Sequence, residues 1–415
     1  MDTLLKLVFV IKSKRLVSTK WYATFLVLLF VFSCVEPYEG AIGTFEDVLV
    51  IDALITNEVK HQEVRLTRSY PFEDRVPEGE KNAQVMVVGD NGSSFQFENS
   101  EEGVYTSAVP FGAQPNVAYQ LQIITEDGAV YGSNEMALPV ASTAIESVVV
   151  ERMLNEEGVD GMRIAVNSND ANGNSQLYRL DYEETFKVIA PYWSPYDLVV
   201  RNEGFSTIDL RVILREREER VCYATQNSQD ILLRTTQGLT EDRLRDFEVR
   251  FIPKDDYILT YRYSMLVKQY VQTPEAFAYY ETLQGLSKSS ENVFSEDQPG
   301  FLRGNVFSTN NPDEKVAGFF EVATVATERI FFSFEDYFAG EERPPYKYFC
   351  SLVAPSSEGA RGQRPLLNSI YKDELRYYDI NFNRIAGGGD YLMVRPECGD
   401  CTTIGSNKIP EFWVE

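Results

Sequence analysis

The sequence has little of the two residue types that most often build reactive sites, histidine and cysteine. Its 415 residues contain one histidine, His61, and five cysteines. Ser–His–Asp or Cys–His catalysis would have to use His61, which lies between two predicted strands in Lys60–Gln62, and no nucleophile-elbow sequence accompanies it. Glycoside hydrolysis by a carboxylate pair needs no histidine, so this one class of enzyme remains open. We therefore predict no catalytic residue and expect a protein that is not an enzyme.

Basic residues are also scarce. The chain has 39 Lys and Arg against 63 Asp and Glu, which gives a formal net charge of −24. Nucleic-acid binding depends on Lys and Arg that neutralise phosphates, so the balance excludes a nucleic-acid partner. It also argues against a protein that lies flat on anionic lipid. The excess of acid indicates solubility at a crowded surface.

One apolar run stands out, Trp21–Phe32, and it is too short to span a bilayer as a stable helix. A basic segment precedes it, and a small residue and a cysteine, Ser33 and Cys34, follow it, as in the lipobox of bacterial lipoproteins. We predict a signal peptide over 1–33, a lipid (palmitate among its acyl chains) on Cys34 and a tether over 34–43. The expected location is the outer membrane, exposed on the cell surface. An uncleaved membrane anchor and a plain secreted protein are the alternatives.

The other four cysteines form an even set in a chain that we expect to be exported: Cys222, Cys350, Cys398 and Cys401. An oxidising compartment favours two disulfides, and three pairings are possible. The Cys398–Cys401 pair could instead hold a metal or act in redox chemistry. However, zinc usually needs a second pair or added histidines, and a redox pair opens a helix rather than a Gly-rich tail. We predict structural disulfides, with no metal ligand and no cofactor.

Residues 44–140 have the pattern of short strands. Glu63–Arg68 alternates apolar and charged residues, as a half-buried strand does. Asn91–Gly92 and Asp127–Gly128 each separate two β runs, and such dipeptides favour tight hairpin turns. About seven short strands at this spacing predict an immunoglobulin-like β-sandwich over 44–140.

A second β-rich domain is predicted over 141–338. Its strongest strand signal is Tyr257–Gln272, and Thr273–Pro274–Glu275 then marks the start of a short helical insertion at about 274–287. Val316–Val322 and Arg329–Phe334 are predicted as two further strands. Asp170–Asn174 is similar to a calcium loop, but its glycine is at the fourth position and no Glu is at the twelfth. A polar turn is the preferred interpretation, and calcium binding stays open.

Two charged or irregular segments complete the fold prediction. The mixed-charge run Arg215–Arg220 is predicted to be a solvated strand or hairpin tip. Residues 339–415 have many Pro, Gly and Tyr and little periodicity, so they predict an irregular, disulfide-tied C-terminal region packed on the second domain. The predicted fold class is therefore mainly β.

Several motifs resemble one family when taken together. They are Tyr261–Gln269, Gly304–Val306, Val316–Phe320 and the closing Cys398–Thr402 with Pro410–Trp413. In order and spacing they resemble the Bacteroidota outer-membrane lipoprotein family of domain of unknown function 4249, over nearly the whole exported chain. The resemblance implies a lipobox, an Ig-like N-terminal half and genes beside TonB-dependent outer-membrane receptors. It implies no catalytic residue, and the glycines and aromatics of these motifs are expected to serve packing.

Three functions follow from these observations. The chain is rich in aromatics, with 24 Tyr and 26 Phe, which suit both β-sheet packing and a ligand-binding surface. The first hypothesis is a lipid-anchored accessory or ligand-capture partner of a TonB-dependent transporter in nutrient uptake, with a peptide, glycan or chelate as ligand. The second in rank is a structural or adhesive surface protein. A glycoside hydrolase or peptidase is the third.

Overall fold

The computed structural model describes residues 47–69, 77–139, 144–203, 208–290, 302–358, 363–386 and 388–415. The predicted signal peptide, the tether and Cys34 lie outside these residues. Most of the regular structure within them is β-strand, which confirms the mainly β prediction. From Val48 onward the described residues belong to one compact unit.

The first strands follow the predicted alternation of apolar and polar residues. In β1, for example, Leu49, Ile51, Ala53 and Ile55 are all buried. The N-terminal strands are β1 (Leu49–Thr56), β2 (Glu63–Arg68), β3 (Gln84–Gly89), β4 (Ser94–Glu101), β5 (Val104–Ser107), β6 (Ala118–Ile124), β7 (Val130–Ser133) and β8 (Met136–Ala137).

Longer strands, rich in β-branched and aromatic residues, make up the next part of the chain. They are β9 (Ala144–Leu154), β10 (Asp160–Asn169), β11 (Leu177–Ile189), β12 (Tyr196–Glu203), β13 (Ile208–Leu214), β14 (Val221–Asn227), β15 (Leu232–Thr235), β16 (Arg243–Pro253) and β17 (Arg262–Val271).

The last strands and the helices alternate towards the C-terminus. The strands are β18 (Val306–Ser308), β19 (Val316–Ser333), β20 (Arg376–Ile380) and β21 (Tyr391–Val394). The helices are α1 (Pro274–Ser290), α2 (Phe334–Tyr337), α3 (Pro365–Tyr371) and α4 (Pro396–Gly399), and two short 3₁₀ turns span Tyr257–Leu259 and Cys401–Thr403.

A 14-stranded sheet joins the N-terminal strands to the later ones. Its order is β14-β11-β17-β19-β1-β2-β5-β4-β3-β6-β7-β18, with β15 on β11 and β8 on β6. β1 and β19 run parallel, from Leu49 opposite Val316 to Thr56 opposite Ala323, and the other described strand pairs are antiparallel. The first described strand is therefore hydrogen-bonded to a strand 267 residues later in the chain, as Leu49 opposite Val316 shows.

Two hydrophobic cores lie on one side of this sheet. The first is enclosed by the N-terminal strands and includes Ile51, Val87, Leu121 and Tyr131. The second lies between β11, β17 and β19 and the three-stranded sheet β16-β10-β9, and it includes Ile164 and Tyr263. Both cores bury apolar side chains that alternate along their strands, which is the main stabilising contribution to the fold.

The glycines of the family-like motifs sit where main chains meet. A Cβ atom on Gly304 would lie 1.7 Å from the Gly318 carbonyl oxygen, and one on Gly318 would lie 1.8 Å from that of Ile51. Gly318 also has a φ of +108°, which side-chain-bearing residues rarely adopt. Beside them, the Asn305 side chain bonds both main-chain groups of Phe320 at 2.8 Å. These motif positions thus hold β18 against β19, in agreement with a packing role.

The helix prediction is confirmed, with a longer extent. α1 begins at Pro274, where the Thr273 hydroxyl accepts a hydrogen bond from the Ala276 N–H, and it continues to Ser290 rather than to about 287. The prediction of two strands over Val316–Phe334 was wrong, because β19 is one continuous strand of 18 residues. Residues 323–328, between the two predicted segments, change from buried on both faces up to Val325 to exposed at Thr327 and Glu328, so no regular alternation marks them as a strand.

The mixed-charge run also differs from the prediction. Arg215 and Glu219 are buried rather than solvated, with the Arg215 Nη1 atom 2.7 Å from the Glu219 carboxylate. Asp197 provides a second carboxylate to Arg215 at 2.6 Å. The C-terminal region packs β20, β21 and α3 on the β12–β13 hairpin around Leu198, Leu366, Tyr377 and Met393.

Candidate ligand-binding site

One face of the 14-stranded sheet points away from both cores, and we call it the outer face. The strand register defines it: side chains that are paired across neighbouring strands lie on the same face. Beginning at Tyr223 on β14, it runs through β11, β17 and β19, crosses β1 and ends at Phe307 on β18. Different parts of this face have different surroundings.

Helix α1 covers the outer face over β11, β17 and β19. Beneath it lie Arg179, which is 7% exposed, and Glu321, which is 0% exposed. Their side chains meet at 3.2 Å, and Arg179 also reaches Asp181 at 2.7 Å. The guanidinium stacks between two aromatic rings, 4.4 Å from the ring centroid of Tyr270 and 4.6 Å from that of Tyr280. Aromatic faces stabilise such a cation when water is excluded.

The pKa values in this cluster follow from burial and from the ion pair. Burial raises the pKa of the Glu321 carboxyl, and Arg179 opposes that shift. Burial alone would lower the pKa of Arg179, but Glu321 and Asp181 outweigh it and hold the pKa well above the ordinary value. Gln272 donates a further hydrogen bond to Glu321 at 2.8 Å. The cluster is therefore a structural ion pair, enclosed within the protein.

The tail segment, residues 404–415, covers another part of the outer face. The Trp413 ring makes edge contacts with Tyr223 and Phe331, at centroid distances of 4.9 and 5.8 Å. Arg329 lies 3.5 Å over the ring of Phe412. The Lys187 ammonium lies 2.9 Å from the Glu415 carboxylate and lowers the pKa of that carboxyl. This part of the face is closed by the chain itself.

The outer face of β4, β3, β6, β7 and β18 carries an open groove of about 810 Å³. This volume falls within the range of sites that bind small ligands. Its main line is a single cross-strand row, because each member is paired with the next in the register: Gln96, Met86, Gln122, Gly132 and Phe307. Glu98, Gln84, Ile124 and Thr309 line the groove beside this row.

Polar groups of the groove are available to a ligand. Four glutamines line it, and their side-chain amides make no hydrogen bond within the part of the chain that the structure describes: Gln84, Gln96, Gln120 and Gln122. Each amide offers two N–H donors and one carbonyl acceptor. Glu98 is the one charged side chain among the described lining residues. The groove is therefore nearly neutral, although the chain as a whole is strongly acidic.

An aromatic ring forms one end of the groove. Phe307 is 44% exposed, and its ring lies over Gly132, where a Cβ atom would meet ring carbons at 3.6 and 3.7 Å. Any larger side chain at position 132 would fill the space beside the ring. The glycine thus leaves a flat apolar surface next to the amide of Gln122. Exposed aromatic surface beside convergent polar groups is typical of a binding site.

A second depression, of about 680 Å³, has a different character. Charged side chains from 234–248 line it, and they pair with one another, as Arg245 does with Glu241 at 2.7 Å. Arg163 likewise binds Asp246 at 3.0 Å and Glu248 at 3.0 Å. Because several of these charges are paired with each other, the depression is a charged surface rather than a neutral groove.

The predicted cysteine sites form two disulfides. Cys222 is bonded to Cys401 and Cys350 to Cys398, which selects one of the three possible pairings. The two cysteines of the Cys398–Cys401 motif therefore bond to separate partners. Among the described residues, no group of three or more His, Cys, Asp or Glu side chains is arranged to hold a metal. Cys34, the predicted lipidation site, lies outside the described part.

The other residues singled out from the sequence have local partners. His61 lies in the connection between β1 and β2, as predicted, and its Nδ1 atom is 2.6 Å from the carbonyl oxygen of Ser107. The Asp170 carboxylate accepts hydrogen bonds from the N–H groups of Asn172, Asn174 and Ser175. These bonds shape a polar turn, as preferred. Burial raises the pKa of Asp170, but the Ser175 hydroxyl, which donates at 2.8 Å, and the three N–H groups outweigh it and hold the pKa below its usual value.

Fold and site together define a mainly β protein with an open groove on one sheet face. The chain belongs to the family described as domain of unknown function (DUF4249), whose model matches residues 35–329. This confirms the family resemblance over residues 35–329, and the closing motifs at 398–402 and 410–413 lie outside the match. The match includes the strands of the groove, the helix α1 and most of β19. Comparison with curated proteins gave no match. No helix of the described residues is long and apolar enough to cross a membrane.

Sequence reasoning missed the groove residues, although it placed strands over most of them. The available signal was glutamine at outward positions of strands β3, β4 and β6. A polar outward side chain is ordinary in a half-solvated strand, so this signal alone indicates only exposure. Phe307 joins the row through β18, 175 residues after Gly132 in the chain, and no local pattern reveals that pairing.

Proposed function

We propose that this protein is a lipid-anchored outer-membrane lipoprotein that captures a nutrient ligand for a TonB-dependent receptor. The observation that carries the ligand-capture part is the groove: about 810 Å³ of open space lined by Phe307 and by four glutamine amides that have no partner among the described residues. The lipid anchor rests on the sequence of residues 21–34. The receptor partnership rests on the family resemblance.

The lining of the groove supports binding rather than catalysis. Glycoside hydrolysis requires two carboxylates on either side of the bond that is cleaved. Glu98 is the only carboxylate among the described lining residues. We therefore propose a binding protein, and a hydrolase becomes the less favoured function.

A structural or adhesive role is the second candidate, and two exposed aromatics favour it. Phe349 is 85% exposed and Phe382 is 80% exposed, both in the C-terminal region and away from the groove. Aromatic side chains of this kind are frequent anchors at protein interfaces. In this alternative they contact another surface protein, and no transporter takes part.

The test is a gentle detergent pull-down of the tagged full-length protein, followed by mass spectrometry. The proposal predicts a TonB-dependent receptor in stoichiometric amount. Recovery of the lipoprotein alone would contradict the partnership and favour the adhesive alternative. A Cys34→Ala variant is the control for the anchor, and we expect it to leave the outer-membrane fraction. If that variant stays firmly in the outer membrane, the lipoprotein assignment is wrong.

A further inference from the structure

The shape and lining of the groove suit one class of ligand. The identification of that class rests on the proposed ligand-capture function. Its main row of five residues crosses five neighbouring strands. At a strand spacing of about 4.8 Å the row is roughly 19 Å long. That length suits a chain of several linked units rather than one small molecule.

The chemistry of the row alternates between amides and apolar surface. Gln96 and Gln122 carry amides, Met86 lies between them, and Gly132 and Phe307 provide the flat apolar end. A neutral sugar has the complementary pattern, since hydroxyls project from the edge of its ring while C–H groups line its faces. One amide can donate to one hydroxyl and accept from its neighbour. The face of Phe307 can stack on the C–H side of a ring.

The charge of the lining argues against anionic ligands. Tight binding of phosphates, acidic sugars and carboxylate chelates relies on the positive charge of Arg or Lys. The described residues that line the groove include no Arg, Lys or His, and Glu98 would repel an anion. A neutral ligand meets no such penalty, and Glu98 can accept hydrogen bonds from hydroxyls.

The position of the groove argues against an extended peptide. Peptides that add to sheets bind at an edge, where unpaired main-chain groups are free. Strands β3, β4, β6 and β7 are each paired on both sides, so their main-chain groups are already used. Recognition here must come from side chains. We propose that the groove binds a neutral oligosaccharide laid across the strands, with one ring stacked on Phe307.

The test measures binding of the lipidated full-length protein in detergent by isothermal titration. The probes are neutral hexasaccharides of glucose, xylose and mannose in several linkages, an oligogalacturonate and a mixture of soluble peptides. We expect at least one neutral series to bind, and the oligogalacturonate and peptides not to bind. Affinity for the neutral glycan should fall about tenfold in Phe307→Ala, and about three- to tenfold in Gln122→Ala.

Phe349→Ala is the matched control, because it removes an exposed phenylalanine ring outside the groove and should leave the affinity unchanged. Gly132→Val fills the space beside Phe307 and should therefore also lower the affinity for the neutral glycan. Thermal unfolding reports whether each variant is folded. The proposal is overturned if no neutral series binds, or if Phe307→Ala binds as tightly as the parent protein. It is also overturned if peptides or oligogalacturonate bind and compete at Phe307.

The outcomes separate this inference from the proposed function. A protein that copurifies with a TonB-dependent receptor but binds peptides in a Phe307-dependent way keeps the proposed function and overturns the glycan assignment. A protein that binds neutral glycans in the groove without a receptor keeps the glycan assignment and overturns the transporter partnership.

Discussion

Two parts of the same sheet face differ in this protein: one is covered by other segments of the chain and the other is open. Over β11, β17 and β19 the face is covered by helix α1 and the tail segment, and its buried charges Arg179 and Glu321 are paired with each other. Over β3, β4, β6 and β7 the face is open, and its amides have no partner within the described residues. The covered part contributes to the stability of the fold. The open part leaves its hydrogen-bonding capacity for a ligand.

The largest expected effect comes from the ion pair under α1. Glu321→Ala should lower the free energy of unfolding by about 3–5 kcal/mol, because it leaves the Arg179 charge buried with less compensation. Denaturant unfolding measures this loss. Glu98→Ala in the open groove is the control on the same face, and its change should stay within about 0.5 kcal/mol. Equal losses in the two variants would remove the distinction between the covered and the open part.

A second expected loss concerns the disulfide that ties the tail to the sheet. Replacing Cys222 and Cys401 together by Ser should cost about 2–5 kcal/mol of unfolding free energy, since the bond closes a separation of 179 residues. The Cys350–Cys398 bond closes 48 residues, so its loss should cost about 1 kcal/mol less on the chain-entropy model. Thermal unfolding of the two double variants makes the comparison, and the reverse order would contradict it.

The tail contact should contribute less than the disulfide. Trp413→Ala removes a nearly buried ring from Tyr223 and Phe331 and should lower the free energy of unfolding by about 1.5–3 kcal/mol. Hydrogen exchange at β14 should increase in this variant, because the covering ring is gone. Ile409→Ala, at an exposed position in the same segment, is the control. Unchanged exchange at β14 would show that the tail does not protect the face.

The smallest effect is a pH dependence at Glu415. Lys187 lowers the pKa of this carboxyl in the folded protein, so its contribution to stability is present above the ordinary pKa of about 4.5. The contribution is lost as the pH falls through the folded value. Because the pair is largely exposed, Glu415→Gln should cost less than about 1 kcal/mol at pH 7. The difference between parent and variant should shrink steadily as the pH falls below about 4.5, and a difference that stays constant over that range would refute the assignment.

The sequence predicts a good part of this fold for clear physical reasons. The alternation in Glu63–Arg68 and the turn dipeptides locate strands, and Thr273–Pro274 locates the start of α1. The number of disulfides follows from four cysteines in an exported chain. The predictions that fail are those that depend on contacts between residues distant in the sequence. The burial of Arg215 and the single long strand β19 are set by neighbours that the local pattern does not contain.

The candidate site is the least predictable part for the same reason. Gln122 and Phe307 belong to one row only because β6, β7 and β18 pair in a particular register. A shift of one residue would turn each of these side chains to the other face. Gly132 marks the site only once the ring above it is known. The register of distant strands, rather than any motif, creates the groove.

The most direct test of the account measures Phe307→Ala for both stability and binding of a neutral hexasaccharide. The account predicts that the free energy of unfolding stays within about 0.5 kcal/mol while the affinity falls about tenfold. An unchanged affinity, or a loss of stability comparable to that of Glu321→Ala, would show that the open part of the sheet face is structural and not a binding site.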